Sequence, residues 1–271
     1  MHLLYHATAQ DEGKDIKTVA RELLLSAAML KRFKYHGKIL KNNEPVFVTA
    51  KVAAGDEILF FYEEEEKSPK VFPKPVIVYE DEYIIALDKP AGLATHPAPK
   101  SGPSLAEEVV YYLGGGVFRA VNRLDKPTSG LVLAAKDPHT AGLLNRAMAE
   151  GHFEKNYRAR LCRAPEPPEG EVSAPILSVP KEQKRIIAPS GKSATTRYRL
   201  LSEEKDKTAW IEAMPITGRT HQIRLHMAHI GCPLYADELY GTAVLGENLS
   251  LRCVSMKFLH PYRGEMQLKV E

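Results

Sequence analysis

Residues 121–136 have the sequence VNRLDKPTSGLVLAAK, in which an acidic residue precedes a short turn and a continuous apolar run. The proline and glycine of the turn favour a tight bend, and residues 131–135 predict a buried strand. Asp125 is therefore expected on a rigid loop beside the edge of a sheet, where catalytic groups often lie. The neighbouring Arg123 favours an ionised carboxylate, which makes Asp125 a candidate covalent nucleophile. The alternative is a loop aspartate that caps its own turn.

A second segment, residues 218–226, concentrates arginine and histidine in the sequence GRTHQIRLH. The alternation of apolar and polar residues predicts one buried and one functional face, carried either by a strand or by a short helix that runs on to His229. The planar fork of arginine binds carboxylate and phosphate through paired hydrogen bonds. The segment therefore fits a surface that faces RNA, and the alternative is a solvated basic face.

These segments resemble motifs of the RluA-type RNA pseudouridine synthases. Residues 121–136 are similar to the family's HRLD-x-x-TSG signature, and residues 218–241 are similar to its GR-T-HQIR-x-H segment and the G-x-P-x-x-x-D-x-x-YG tail that follows. The resemblance covers residues 75–262, and five motifs in the same order are more specific than any one of them. The three shorter matches are KPAG at 89–92, KNY at 155–157 and LHP at 259–261.

The sequence departs from the family pattern at two places. Asn122 stands where the family usually has histidine, and Ala236 precedes Asp237 where the family usually has glycine. Asparagine cannot titrate, so any ionisable role of a histidine at this position is lost. Because Arg123 and Asp125 are both present, we interpret the change as tuning of the activity and not as its loss.

The resemblance implies an isomerase in which Asp125 is the essential nucleophile. It implies either addition of Asp125 to the sugar of a uridine or removal of a sugar proton, and both alternatives stay open. Arg224 is expected to pair with Asp125 and keep it charged. Tyr157 is expected to stack on the uracil and to assist removal of the proton at carbon 5. Arg123 is expected to fill the gap that a flipped uridine leaves in the RNA.

Further RNA contacts are expected from the motif segments and from the second helix of the chain. Lys155 is expected to support Tyr157 or to meet phosphate, and the histidine and glutamine of the HQIR segment are expected to be scaffold or RNA contacts. The candidate RNA-binding residues besides Arg123 are Asn122, Lys155, Arg219, His221, Gln222, Lys31, Arg32 and Lys34.

The first 67 residues predict a small α+β domain. A pair of helices, the second of them basic, followed by strands with a Gly-Asp turn, resembles the ribosomal S-four-like RNA-binding domain, which often precedes the catalytic domain in this family. The first seventy residues carry as many acidic as basic groups, so a small packing domain is the alternative. The predicted elements are helices at 16–25 and 27–36, capped by Asp15 and Ser26 and ended at Gly37, and strands at 45–49 and 57–62.

A proline-rich segment at residues 68–75 predicts a linker between an N-terminal domain, 1–67, and a catalytic domain, 76–271. Short strands with few helices predict an α+β catalytic domain with a large, mainly antiparallel mixed sheet and flanking helices and loops, as the family resemblance also implies. The predicted elements are strands at 76–79, 84–87, 194–201 and 208–213, helices at 104–113 and 138–150, and a long surface loop at 163–180.

Composition and charge favour a cytoplasmic RNA-binding enzyme. The chain has 271 residues, of which 44% are hydrophobic, enough for a large and a small core. It shows no apolar stretch long enough to span a bilayer and no secretory signal, and its three cysteines are widely spaced, as in a reducing compartment. Residues 119–163 and 181–230 each carry a net charge of +5, although the whole chain carries only +3.

Two other functions fit part of the pattern. A non-catalytic RNA-binding or ribosome-assembly protein would use the same basic surfaces without needing Asp125. A glycoside hydrolase would need a second carboxylate, which no motif segment offers. The spacing of the histidines and the cysteine at 221–232 fits no common structural zinc site, and no phosphate-binding glycine loop is present. We therefore expect a monomer that acts on ribosomal or transfer RNA without a metal, a nucleotide or another cofactor.

Overall fold

The computed structural model describes residues 2–62, 71–98, 102–180 and 182–271. In these ranges the chain forms five α-helices and sixteen β-strands, which make a four-stranded, a ten-stranded and a two-stranded sheet. The predicted end of the N-terminal domain and the first residues of the predicted linker, 63–70, lie outside the described ranges. No helix in those ranges is long and apolar enough to cross a membrane.

The four-stranded sheet is built from the first 62 residues. Its elements are β1 (His2–His6), α1 (Ile16–Glu22), α2 (Ala27–His36), β2 (Gly37–Lys41), β3 (Glu44–Pro45) and β4 (Glu57–Tyr62). The strand order is β1-β4-β2-β3, and neighbouring strands are antiparallel. The predicted N-caps are confirmed, because Asp15 and Ser26 accept backbone N–H groups of the first turns at 2.7 and 3.2 Å. Phe33 of α2 packs on Phe60 and Tyr62 of β4, so the basic side chains of α2 face outward.

Several N-terminal predictions are wrong in detail. Helix α1 ends at Glu22, the strand predicted at 45–49 is reduced to the two residues of β3, and β1 was not predicted because its partner, β4, is distant in sequence. Gly37 begins β2 with an extended φ of −149° and does not cap α2 in the left-handed region. A Cβ at Gly37 would lie 2.7 Å from that of Tyr62 and closer still to the Phe61 carbonyl oxygen, so the close approach of two strands requires this glycine.

Residues 77–269 form the larger sheet, a two-stranded hairpin and three helices. In chain order the elements are β5 (Ile77–Glu80), β6 (Ile84–Lys89), α3 (Leu105–Tyr112), β7 (Arg119–Ala120), β8 (Ser129–Ala135), α4 (Pro138–Ala149), β9 (Phe153–Leu161), β10 (Glu169–Ser173), β11 (Ile176–Ser178), β12 (Arg185–Ile187), β13 (Thr195–Glu203), β14 (Ala209–Pro215), α5 (Gln222–His229), β15 (Leu251–His260) and β16 (Gly264–Lys269).

The larger sheet is mixed but mainly antiparallel. Its strand order is β10-β13-β14-β9-β15-β8-β6-β5, with β7 paired to β8 and β16 paired to β15, while β11 and β12 pair only with each other. Among the described pairs of this sheet only β8 and β15 are parallel. The predicted α+β fold class is therefore confirmed.

Strand β8 is buried in the middle of the larger sheet, as its apolar run predicts. It runs parallel to β15, with Gly130 opposite Cys253. A Cβ at Gly130 would lie 2.6 Å from the Cys253 nitrogen and closer still to the Cys253 carbonyl oxygen. Its φ of +106° is also one that residues with side chains rarely adopt. This glycine therefore allows β15 to pair directly beside the loop that carries Asp125.

Two predictions for the larger sheet need correction. The segment 163–180, predicted as a loop, contains β10 and β11, because its prolines precede or separate these strands and do not interrupt them. The segment 218–226 is not a strand. Its helical alternative is confirmed, since α5 begins at Gln222 and ends at His229. The predicted cap of α3 by Ser104 and the stop of α4 at Gly151 are also confirmed.

The substitution Gly130→Ala is expected to destabilise the fold by at least about 3 kcal/mol, because it adds a backbone clash to left-handed strain. The matched control is Gly151→Ala, which has a similar positive φ but no atom within 4 Å of the new Cβ. It is expected to cost only about 1–2 kcal/mol. Urea unfolding of the two variants measures the difference. Equal losses of unfolding free energy would show that the contact with β15 is unimportant.

Candidate active site

The loop that carries Asp125 is held rigidly between β7 and β8. The N–H of Thr128 donates to the Asp125 carbonyl oxygen at 3.0 Å and closes the turn. The hydroxyl of Thr95 donates to the carbonyl oxygen of Leu124 at 2.7 Å and accepts the Leu124 N–H at 3.2 Å. The Asp125 side chain itself remains 26% exposed. The backbone is thus fixed while the carboxylate faces open space.

Asn122 connects the same loop to β8 from within. Its amide nitrogen donates to the Leu131 carbonyl oxygen at 3.1 Å, and its amide oxygen accepts the Leu133 N–H at 2.8 Å. The residue is only 5% exposed. Its polar atoms are therefore engaged with the strand, which differs from the RNA contact expected from the sequence.

Lys89 lies under the loop and was given no role by the sequence. Its ammonium is fully buried and donates to the carbonyl oxygens of Pro90, Leu93 and Lys126 at 2.9, 2.7 and 3.3 Å. Burial lowers the pKa of Lys89 to about 8, although the charge of Asp125 opposes this shift. A lysine at the end of a strand that begins with four apolar residues, as in β6, was the signal that could have revealed it.

Arg224 of α5 forms hydrogen bonds with the carboxylate of Asp237 and lies farther from that of Asp125. Its Nε and Nη2 donate to the two oxygens of Asp237 at 2.8 and 2.6 Å, whereas Nη1 lies 4.0 Å from Asp125 Oδ2. The predicted proximity of Arg224 to Asp125 is present, but the main partner of Arg224 is Asp237. Burial, the largest single influence, would raise the pKa of Asp237, but the hydrogen bonds and charge of Arg224 together with the N–H groups of Leu239 and Tyr240 lower it overall.

His221 precedes α5 in a left-handed conformation, with φ of 60°. This backbone turns its ring toward the Asp125 loop, so that Nε2 lies 3.8 Å from Asp125 Oδ2. Its Nδ1 lies 2.9 Å from the Tyr240 hydroxyl oxygen. Burial lowers the pKa of His221, although Asp125 opposes the shift. The ring is therefore neutral at neutral pH and lies beside the carboxylate, which the sequence did not predict.

Strand β9 places Tyr157 and Lys155 in the lining of the cavity that Asp125 also lines. Tyr157 is 7% exposed and is paired with Cys253 of β15. Burial, together with the neighbouring thiol of Cys253, raises the pKa of Tyr157 well above its usual value, so the phenol keeps its proton. Burial lowers the pKa of Lys155. In the described part of the chain the Lys155 ammonium has no ion pair, so it is available to a ligand.

Two other predicted RNA contacts have different surroundings. Gln222 is 4% exposed, and its amide bonds to Thr217, Thr195 and Thr196 and to the N–H of Arg219. It therefore orders the segment before α5 and is not free to contact RNA. Arg219 is exposed and donates through Nε to the Ser193 carbonyl oxygen at 3.1 Å.

One cavity of about 290 Å³ unites the predicted site residues of the larger domain. The predicted residues that line it are Asp125, Tyr157, Arg224, Arg123, Asn122, Lys155, Arg219, His221 and Gln222. The other three candidates, Lys31, Arg32 and Lys34, are exposed on α2 and do not line this cavity. Within the described residues, no group of three or more histidine, cysteine or acidic side chains could hold a metal ion.

Comparison with known proteins agrees with this geometry. A family model described as RNA pseudouridylate synthase matches residues 83–229. The chain is similar to the ribosomal large subunit pseudouridine synthase C of Rickettsia bellii, with 35% identity over 80% of this chain and 79% of that protein. It is also similar to the dual-specificity RNA pseudouridine synthase RluA of Vibrio cholerae serotype O1, with 34% identity over 72% and 82% of the two chains.

Solved structures show the same fold. The structure of human RNA pseudouridylate synthase domain containing 1 has a TM-score of 0.65 with this chain at 22% identity. The match covers 76% of this chain and 86% of the human one. The two chains therefore share their fold over the matched part.

The substitution Asp237→Asn is expected to destabilise the protein by about 3–5 kcal/mol at neutral pH, because it leaves Arg224 buried without its partner charge. The folded-state pKa of Asp237 is lowered, so its contribution is present above the unfolded-state pKa and is lost as pH falls through the folded-state pKa. The difference in the free energy of unfolding between wild type and Asp237→Asn should therefore become smaller below about pH 4. Urea unfolding at several pH values measures this difference.

The matched control for this experiment is Glu171→Gln, which breaks an exposed ion pair with Arg197. Exposed pairs contribute little, so this variant should unfold almost like wild type at every pH. If the difference in the free energy of unfolding between Asp237→Asn and wild type stayed constant across the acidic range, the lowered pKa of Asp237 would be contradicted.

Proposed function

Since the chain belongs to the RNA pseudouridylate synthase family and isomerises uridine in RNA to pseudouridine, we propose that Asp125 is its nucleophile and that the cavity around it receives the flipped uridine. The observation that carries this proposal is the convergence of three separate motif segments, which supply nine candidate residues, on one cavity. The Asp125 loop, β9 and the segment that leads into α5 bring these residues together from distant parts of the sequence.

The reaction is an isomerisation in which one bond is exchanged for another. The bond between uracil N1 and the sugar C1′ breaks, the ring turns, and a bond between C5 and C1′ forms while the C5 proton is lost and N1 gains one. Asp125 either adds to the sugar or takes a sugar proton, and either step needs an ionised carboxylate. Arg224 and His221 lie on the side of Oδ2, with Arg224 Nη1 at 4.0 Å and His221 Nε2 at 3.8 Å from that oxygen.

The other residues of the cavity have roles that follow from their burial. Tyr157 is buried and lines the cavity, which suits stacking on the uracil. Its raised pKa keeps the phenol protonated, which argues against the expected role in removing the proton at carbon 5. Among the described residues none forms an ion pair with the Lys155 ammonium, which can therefore bind a phosphate or a base oxygen. Arg123 is exposed at the cavity, where it can fill the gap that the flipped nucleotide leaves.

Ribosomal RNA of the large subunit is the proposed substrate. Support comes from the relative in Rickettsia bellii, whose name states a ribosomal large subunit pseudouridine synthase and which matches most of this chain. Transfer RNA is the second candidate, as the family resemblance of the sequence implies, and the Vibrio relative is named as a dual-specificity RNA pseudouridine synthase. The first 62 residues are proposed to contribute an S-four-like RNA contact through the exposed basic side chains of α2.

The substitution Asp125→Asn is expected to lower pseudouridine formation at least about 10³-fold while RNA binding persists, because an amide cannot act as the nucleophile. The assay incubates RNA from a strain that lacks this enzyme and maps pseudouridines in ribosomal and transfer RNA. The matched control is Asp206→Asn, whose side chain is 54% exposed and does not line the cavity. Modification by Asp125→Asn at the wild-type rate would refute the nucleophile, and wild-type modification of transfer RNA alone would refute the proposed substrate.

Replacement of Lys31, Arg32 and Lys34 together by alanine is expected to weaken RNA binding without changing kcat. The slope of log affinity against log salt should fall by about 2 to 3, because three phosphate contacts are lost. The matched control replaces three exposed lysines away from α2, at 205, 207 and 269. An unchanged salt dependence in the α2 variant would favour a packing domain without an RNA contact.

A further inference from the structure

A chain of polar contacts connects Asp125 with the hairpin of β11 and β12. The backbone N–H of Arg185, the first residue of β12, donates to the Tyr240 hydroxyl oxygen at 2.7 Å. The same oxygen lies 2.9 Å from His221 Nδ1, and His221 Nε2 lies 3.8 Å from Asp125 Oδ2. The ring of Tyr240 also lies 5.3 Å from the Arg224 guanidinium. Tyr240 thus touches both groups that lie beside Oδ2.

The hydrogen bonds that the Tyr240 hydroxyl accepts and donates indicate which nitrogen of His221 carries the proton. The phenol oxygen accepts the Arg185 N–H, and its own hydrogen then needs an acceptor. In the described part of the chain, His221 Nδ1 is the acceptor within reach. If Nδ1 carried the hydrogen, the phenol hydrogen would have no partner there. The arrangement that satisfies both groups has Tyr240 donating to Nδ1 and the ring hydrogen on Nε2.

The charged groups around His221 agree with a neutral ring. They are Asp125 and Asp237, which favour the protonated form, and Arg224 and Arg185, which oppose it. Burial is the largest influence, and the pKa of His221 is lowered. Burial also raises the pKa of Tyr240, so its hydroxyl keeps the hydrogen that it donates.

We propose that Tyr240 is a positioning residue that holds His221 as the Nε2–H tautomer, with this N–H aimed at Asp125 Oδ2. The proposal rests on the proposed role of Asp125 as nucleophile. The N–H and the Arg224 guanidinium then share one carboxylate oxygen and leave Oδ1 to the substrate. The separation is 3.8 Å, and catalytic contacts of this kind tighten when a substrate binds.

The activity test is a double-mutant cycle between positions 240 and 221. Tyr240→Phe keeps the ring beside Arg224 but removes the hydroxyl, and it is expected to lower kcat about 3- to 10-fold with little change in KM. His221→Gln keeps a side-chain N–H near the position of Nε2 and has no tautomers. In that background Tyr240→Phe should have no further effect on kcat. An equal loss in both backgrounds would overturn the proposal, because it would mean that the hydroxyl acts only through packing.

The tautomer itself is read from the ¹⁵N chemical shifts of the His221 ring at neutral pH. Wild type should show hydrogen on Nε2 and a bare Nδ1, and Tyr240→Phe should shift the population toward the other tautomer. A wild-type ring with hydrogen on Nδ1, or on both nitrogens, would overturn the proposal. The chemical shifts do not depend on catalysis. If Asp125→Asn retained activity, the proposed nucleophile would be refuted, but the ring shifts would still test the proposed tautomer of His221.

The matched control is Tyr198→Phe. Tyr198 is 5% exposed, its hydroxyl donates to the Pro167 carbonyl oxygen at 3.3 Å, and it does not line the cavity. Its substitution removes a comparable buried hydroxyl, and it should leave both kcat and the His221 ring signals unchanged. A loss of kcat in Tyr198→Phe as large as that in Tyr240→Phe would also count against a specific role for Tyr240.

Discussion

The buried pair between Arg224 and Asp237 is the interaction on which the rest of the site depends. A charged side chain loses hydration when it is buried, and only a well-placed opposite charge offsets that cost. Asp237 gives both oxygens to the guanidinium and also accepts the N–H groups of Leu239 and Tyr240. Arg224 is thereby fixed before RNA arrives, with its remaining nitrogen toward Asp125. Such preorganisation costs no rearrangement during the reaction.

The Asp125 loop is held on its other side through its backbone and not through its carboxylate. Lys89 donates hydrogen bonds to three carbonyl oxygens beneath the loop. Thr95 bonds to both the N–H and the carbonyl oxygen of Leu124, and Asn122 bonds to the backbone of β8. No described residue makes a short hydrogen bond to the carboxylate itself. This arrangement fixes the position of the group while its electron pairs stay available, which is what a nucleophile requires.

The sequence predicted the contents of the cavity better than its internal contacts. Motif residues could be assigned because their types and order resemble one family, and the fold class followed from short strands with few helices. The domain boundaries at 67 and 76 stay predictions. The principal partner of Arg224, the role of Lys89 and the contact of Tyr240 with His221 were missed, since each depends on where separate segments meet in space. At 218–226 the sequence left a strand and a helix open, and the helix is the one that forms; the alternation alone could not decide, because a buried helix can also alternate apolar and polar residues.

Asn122, which stands where the family usually has histidine, helps to hold the backbone of the Asp125 loop and does not contact the carboxylate. An amide offers N–H donors and a carbonyl acceptor at every pH, and Asn122 uses both kinds of group on β8. A histidine there would titrate near neutral pH, and its protonation would remove the acceptor that the Leu133 N–H needs. The chain instead keeps an imidazole, His221, beside the carboxylate and a non-titrating group beside the strand. The register of β8 and the charge near Asp125 are therefore controlled by different residues.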